Sequence, residues 1–212
     1  MSRGATVRLF VAVDPPEPVC TELAGWTREA AAELRRAEPG HAADWLRPLT
    51  AAQLHVTVCF LGSRPVAEVD ALGETLAACA GHGCELACGA PVWLPPRRPR
   101  ALAVEIRDRD GELARLREQL VRELAAVSGW APERRRFRAH LTVARVRGGS
   151  RVRRVRRTRE RAPERADLPL LESVTPPLRF APGSISLYRS FLEPEGARYE
   201  ALASCALVPP GL

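Results

Sequence analysis

The chain has 212 residues, 46% of them hydrophobic and 27% charged, which suits one globular domain, or two closely packed lobes sharing a core, and excludes a disordered tail protein. Its 32 basic residues are all Arg, and against 25 acids they leave a net charge of +7. No run of about eighteen apolar residues occurs, and the stretch Val7 to Val13 reaches Asp14 too soon for a secretory h-region, so the expectation is a soluble, cytoplasmic protein with no membrane partner.

One segment makes the chain basic. Arg134 to Arg165 holds 14 Arg against Glu160 and Glu164, so the remainder carries 18 Arg and 23 acids. Guanidinium groups bind phosphate oxygens in bidentate fashion and stay ionised at any working pH, so such a block attracts phosphate. Charge blocks without apolar periodicity are often unstructured, and residues 148–168 are expected as a solvated, Arg-rich loop. Six cysteines raise disulfides or a metal site. Without a secretory signal, disulfides are not expected, and the cluster Cys79, His82, Cys84, Cys88 lacks a paired Cys-x-x-Cys knuckle. These are read as small core residues or free thiols, with no metal.

In chain order, Arg8 to Val13 predicts a strand stopped by Asp14, Pro15 and Pro16. Leu23, Trp26, Ala30 and Leu34 then recur as the apolar stripe of a helix that Pro39 and Gly40 end. Leu54 to Leu61 predicts a strand closed by Gly62, and Pro65 opens a helix with Val66, Val69, Leu72, Leu76 and Cys79 on one face. Leu86 to Leu94 and Ala101 to Ile106 predict two strands joined by a proline-rich turn. A longer helix runs from about Asp110 on Leu113, Leu116, Leu120, Leu124 and Val127, with Gly129 past its end. Strands are expected again at Phe137 to Val146, Ile185 to Tyr188 and Tyr199 to Leu207. The connections are too varied for a doubly wound parallel sheet, so the fold class is α+β, with a partly duplicated two-lobe layout.

Two of the four histidines stand in one tetrapeptide pattern, His55-Val56-Thr57-Val58 and His140-Leu141-Thr142-Val143. Residues i and i+2 of a strand share a face, so each motif presents one imidazole beside one hydroxyl. With an unperturbed pKa of about 6.5, imidazole gives or takes a proton near neutrality, and two imidazoles can divide general-base and general-acid work. Threonine hydroxyls can donate to non-bridging phosphate oxygens, and Arg145, five residues beyond His140, can neutralise charge that builds there. Together they suit in-line phosphoryl chemistry without a metal. Satisfied core histidines beside ordinary β-forming threonines would explain one such motif alone; two copies in a chain this short favour a site.

These segments resemble a known family, the 2H phosphoesterases, and within it the RNA 2′,3′-cyclic phosphodiesterases, also called bacterial 2′-5′ RNA ligases. RLFVAVDPP from Arg8, LHVTVCFLG from Leu54, FRAHLTVARV from Phe137 and SLYRSFLEPEGARYEAL from Ser186 are similar to that group's segments in order. The resemblance implies one domain over residues 1–212 made of two pseudo-symmetric lobes, each a small antiparallel sheet flanked by helices, with the two motifs in a central cleft. It implies His140 as general base, His55 as general acid to the departing ribose 3′-oxygen, Thr57 and Thr142 as phosphate donors, and Arg145 as a phosphate contact. Tyr188 and Phe10 become cleft-lining residues that could meet a base or ribose. The implied activity is cofactor-free hydrolysis of RNA 2′,3′-cyclic phosphate ends to 2′-phosphomonoesters by a monomer, with 2′-5′ joining as the reverse-type reaction. Two other readings stay open: a phosphodiesterase of small nucleotide-derived cyclic phosphates, and an RNA-binding protein without catalysis.

Overall fold

The computed structural model describes residues 5–37, 46–96, 99–133, 135–146, 175–193 and 196–209. The Arg-rich stretch 148–168 and the predicted helix stop at Pro39 and Gly40 lie outside the described residues. β1 (Thr6–Asp14) leads into α1 (Glu17–Ala37), the short β2 (Leu46–Pro48) and β3 (Val56–Pro65). After a 3-10 turn come α2 (Val69–Cys79), β4 (Leu86–Leu94), β5 (Ala101–Asp108), α3 (Glu112–Ser128) and β6 (His140–Val146). β7 (Arg179–Phe180), β8 (Ser184–Glu193) and β9 (Gly196–Ala206) complete the described elements.

All the strand pairs are antiparallel. They run in the order β7-β4-β5-β6-β3-β1-β8-β9, with β2 added on β6, so the chain is an α+β protein whose described strands form one nine-stranded sheet. The two small sheets expected from the sequence are its halves. They join through a single register pair, Val56 with Leu141, both without exposed surface. In each half a strand, a helix and an adjacent strand follow in sequence: β1-α1-β3 and β5-α3-β6.

Alternation along the strands divides the two faces. Val7, Leu9, Val11 and Val13 of β1, Val56 of β3, Leu141 and Val143 of β6, and Ile185 and Leu187 of β8 enter one apolar core. The helices cover that face with Leu23 and Trp26 of α1, Leu72 and Leu76 of α2, and Leu113, Leu120 and Leu124 of α3. A fully buried side chain of this kind contributes about 1.5–3 kcal/mol, so the face is strongly specified against a one-residue register slip. α3 stops at Gly129, whose φ of 60° suits a residue without Cβ and whose N–H bonds the Ala125 carbonyl.

Several boundaries move. The strand expected at Leu54 starts at Val56, because a 3-10 turn at Ala51–Gln53 holds the preceding backbone out of the ladder; it then runs on to Pro65. The strand expected at Phe137 enters the ladder only at His140. Val66 and Val127, assigned to helix stripes, are 47% and 50% exposed, one in a 3-10 turn before α2 and the other at the end of α3. β2 and β7 are too short for an alternation pattern to reveal them. No helix among the described residues is long and apolar enough to cross a membrane.

Candidate active site

The two His-x-Thr-x motifs flank the seam of the sheet. Because Val56 and Leu141 are register partners, extending the antiparallel register by one residue on each side sets His55 across from Thr142 and Thr57 across from His140. Val56 and Leu141 point into the core, so the two imidazoles and two hydroxyls share the opposite face. The four groups form a compact square around the one bridge that joins the halves.

Each corner is built by the same device. The ring Nδ1 of His55 lies 3.0 Å from the Gln53 carbonyl oxygen, and that of His140 lies 2.8 Å from the Arg138 carbonyl oxygen. A carbonyl only accepts, so Nδ1–H is the donor in both rings and Nε2 is left to give or take the mobile proton. Thr57 faces Ala12 on β1, and Thr142 faces Ala103 on β5. A methyl group on each neighbouring strand leaves space over the hydroxyl, and neither threonine oxygen has a hydrogen-bond partner among the described residues.

A β-bulge follows each threonine. The β1–β3 register slips between Val11 and Ala12, making Val58 the extra residue, and the β5–β6 register slips between Leu102 and Ala103, making Val143 the extra residue. Both are the fourth residue of their motif. A bulge breaks the two-residue alternation and re-aims what comes after it. Strict alternation would send Arg145 to the core side with Leu141 and Val143; instead it is exposed, and its charge acts on His55. The equivalent position in the first motif is Phe60, with the Arg8 guanidinium 4.7 Å above its ring.

The surroundings of His55 are aromatic. Phe10 stacks on it at 4.8 Å between ring centroids and on Tyr188 at 5.2 Å, while Tyr199 meets His55 edge-on at 5.0 Å. Phe10 is only 4% exposed. It therefore supports the His55 ring from beneath and offers no free face to a base or ribose. Burial pushes the His55 imidazole down from 6.5 to about 4. The bond to the Gln53 carbonyl and the negative charge of Asp14 work against that fall, whereas Arg145 and His140 add to it.

Tyr188 is half-buried and tied down. Its hydroxyl donates to Asp14 Oδ1 at 2.8 Å, and the hydroxyls of Ser184 and Ser186 donate to Asp14 Oδ2 at 2.8 and 2.7 Å. Burial, the Asp14 charge and this hydrogen bond together push the phenol up to about 12. Sequence reasoning treated Asp14 as a strand stop and Tyr199 as the start of a late strand. The signal for Asp14 was its place at the end of β1, with the alternating Ser184, Ser186 and Tyr188 on the partner strand. Tyr199 reaches His55 only through the β8–β9 pairing, which no local pattern announces.

The cysteines take no part. Cys20, Cys59, Cys79, Cys84 and Cys88 are buried and Cys205 is half-buried, all as free thiols. Burial pushes Cys59 and Cys84 up to about 12 and Cys20 and Cys88 up to about 11. Among the described residues no three His, Cys, Asp or Glu side chains converge as a metal site.

No protein-family model matches the chain. It is 35% identical over 97 residues to an RNA 2′,3′-cyclic phosphodiesterase of Aeropyrum pernix, a match covering 44% of this chain and 53% of that protein. The chain thus spans about half the length of the curated relative it matches. Among solved structures, TT0787 of Thermus thermophilus is similar with a TM-score of 0.68 and 25% identity, over 96% of this chain and 99% of that one. E. coli LigT, in complex with 3′-AMP, has a TM-score of 0.67 and 22% identity over the same shares. The fold is that of LigT and its structural relatives.

Proposed function

We propose that the chain hydrolyses the 2′,3′-cyclic phosphate ends of RNA to 2′-phosphomonoesters, using only its own side chains. The observation that carries this reading is the square of His55, Thr57, His140 and Thr142, with both Nδ1 atoms occupied by carbonyls and both Nε2 atoms left over. The activity of the Aeropyrum pernix relative supports it. Residues 1–212 act as one two-lobed domain, cytoplasmic and monomeric.

In this reaction the phosphorus of the cyclic diester sits between the imidazoles, and the threonine hydroxyls and Arg145 bind its non-bridging oxygens. His140 Nε2 takes a proton from water as the water oxygen bonds to phosphorus. The bond from phosphorus to O3′ breaks, and His55 Nε2–H protonates the departing O3′. Proton transfers of this kind contribute roughly 10²–10⁴ each in rate. His55 is neutral in the free protein at pH 7, because burial holds it near 4. The acid role therefore couples substrate binding to proton uptake, which the negative phosphate favours.

That same low proton affinity favours a second reading, in which His55 is the base and His140 the acid. A diester with a nitrophenol leaving group separates the two, since such a group departs without protonation. The variant lacking the acid recovers most of its rate on that substrate, and the variant lacking the base does not. For the activity itself, purified protein with EDTA and a short RNA bearing a 2′,3′-cyclic end should give a 2′-phosphate product. His55→Ala and His140→Ala should each abolish most of that turnover, and near-wild-type rates in either would refute the assignment.

A further inference from the structure

Arg47 stands on β2 directly opposite Arg145 of β6. β2 lies on the same side of β6 as β3, so the face that carries His55 and Thr142 continues toward this pair of guanidinium groups. Like charges directly across a β-ladder are destabilising. Among the described residues no carboxylate pairs with Arg47 or Arg145.

The Arg47 side chain is half-buried and held against the β8–β9 hairpin. A Cβ added at Gly196 would lie 2.8 Å from Arg47 Nη1 and 3.1 Å from its Cζ, so the glycine backbone is what lets the guanidinium lie there. The hairpin is pinned beside it, because Gln53 Nε2 donates to the Ala197 carbonyl at 3.1 Å. Gln53 also supplies the carbonyl that anchors His55 Nδ1. One residue thus fixes both the imidazole and the wall that carries Arg47.

A cyclic phosphodiester carries one negative charge, and Arg145 is sufficient to balance it. We propose that Arg47 seats a second phosphate, the phosphodiester on the 5′ side of the terminal nucleotide, and so makes the site prefer an RNA end over a cyclic mononucleotide. This rests on the cyclic phosphodiesterase reading above and adds its substrate class. Its chemistry is a charge-assisted contact between guanidinium and phosphate, at a distance from the reacting atom set by one nucleotide.

The test compares wild type, Arg47→Ala and Arg47→Lys on a dinucleotide ending in a 2′,3′-cyclic phosphate and on the cyclic mononucleotide. In parallel, titration gives the affinities of the corresponding 2′-phosphorylated dinucleotide and mononucleotide, which require no turnover. Arg47→Ala should lower the dinucleotide-to-mononucleotide ratio about tenfold in both kcat/KM and affinity, the loss of one charge-assisted contact. It should also make the salt slope of dinucleotide binding shallower by about 0.7, and Arg47→Lys should recover part of the ratio. An unchanged ratio, or an equal loss on both ligands, overturns the proposal. If wild type hydrolyses neither substrate, the cyclic phosphodiesterase reading fails, while the affinity ratio still decides whether Arg47 reads a second phosphate.

Discussion

Replacing His55 by Gln should change how the protein responds to acid. The imidazole is pushed down to about 4 by burial, against 6.5 when exposed in the unfolded chain. Between these values the unfolded state binds more protons, so unfolding free energy rises with pH there; stability is lost as pH falls from 6.5 toward 4 and changes no further below. With both pKa values, His55 costs about 2 kcal/mol of stability at pH 5 relative to pH 8, and about 3 kcal/mol at the acid limit. Urea unfolding followed by tryptophan fluorescence, on wild type and His55→Gln at pH 8 and pH 5, isolates the effect. The variant's stability relative to wild type should improve by about 2 kcal/mol between the two pH values. Loss of the Gln53 contact and the ring stack lowers the variant at both pH values and cancels in that comparison. A relative stability that does not move with pH would refute the claim that burial keeps His55 neutral.

Asp14→Asn removes the charge that favours protonated His55, so the His55 titration followed by NMR should move further down; an upward move would contradict the electrostatic account. Tyr188→Phe deletes a hydroxyl that donates to Asp14 and should cost about 1 kcal/mol by urea unfolding, with no change implying that the carboxylate is equally well served by water. Thr57→Val and Thr142→Val keep the β-branched shape and remove the unpartnered donors. Each should lower kcat/KM for the cyclic end by about 10–100-fold with little change in Tm. Leu141→Ala at the seam should cost about 2–5 kcal/mol in stability, and a loss below about 1 kcal/mol would show that the halves hold together without it.

Much of this was legible in the chain because it is local. The stripe of α3 and the glycine that ends it could be read from spacing, as could the paired His-x-Thr-x motifs. What escaped depends on register. The bulges at Val58 and Val143 leave no mark in composition, yet a bulge accounts for Arg145 leaving the core side, where simple alternation would have kept it. Phe10 looked like a cleft aromatic on a first strand; only the pairing of β1 with both β3 and β8 shows it buried against His55 and Tyr188. Arg47 sits in a three-residue strand with no pattern of its own, and its meaning comes from the Arg145 opposite it.

The two halves repeat a construction and then depart from it, and the departures explain how one repeated motif can do two jobs. His, Thr, the bulge, the facing alanine and the carbonyl behind Nδ1 recur in both, which would give two imidazoles of equal proton affinity. The equivalence ends at the next positions. One half continues with Arg145 and the other with Phe60, and the strand neighbour that presents Phe10 against His55 has Ala101 at the matching place in the second half. An aromatic floor desolvates His55, and Arg145 adds a positive charge within its reach, so this imidazole releases its proton far more readily than a solvated one. A base and an acid must hold their protons differently before the reaction starts. The packing of Phe10 and the turn of Arg145 weaken the hold of His55 on its proton, so in the acid role it is charged only once the negative phosphate is bound. Phe10→Ala should therefore raise the His55 pKa toward 6.5 and shift the acid limb of kcat/KM upward with it, while Phe60→Ala, at the position that matches Arg145 in the first motif, should leave that limb in place.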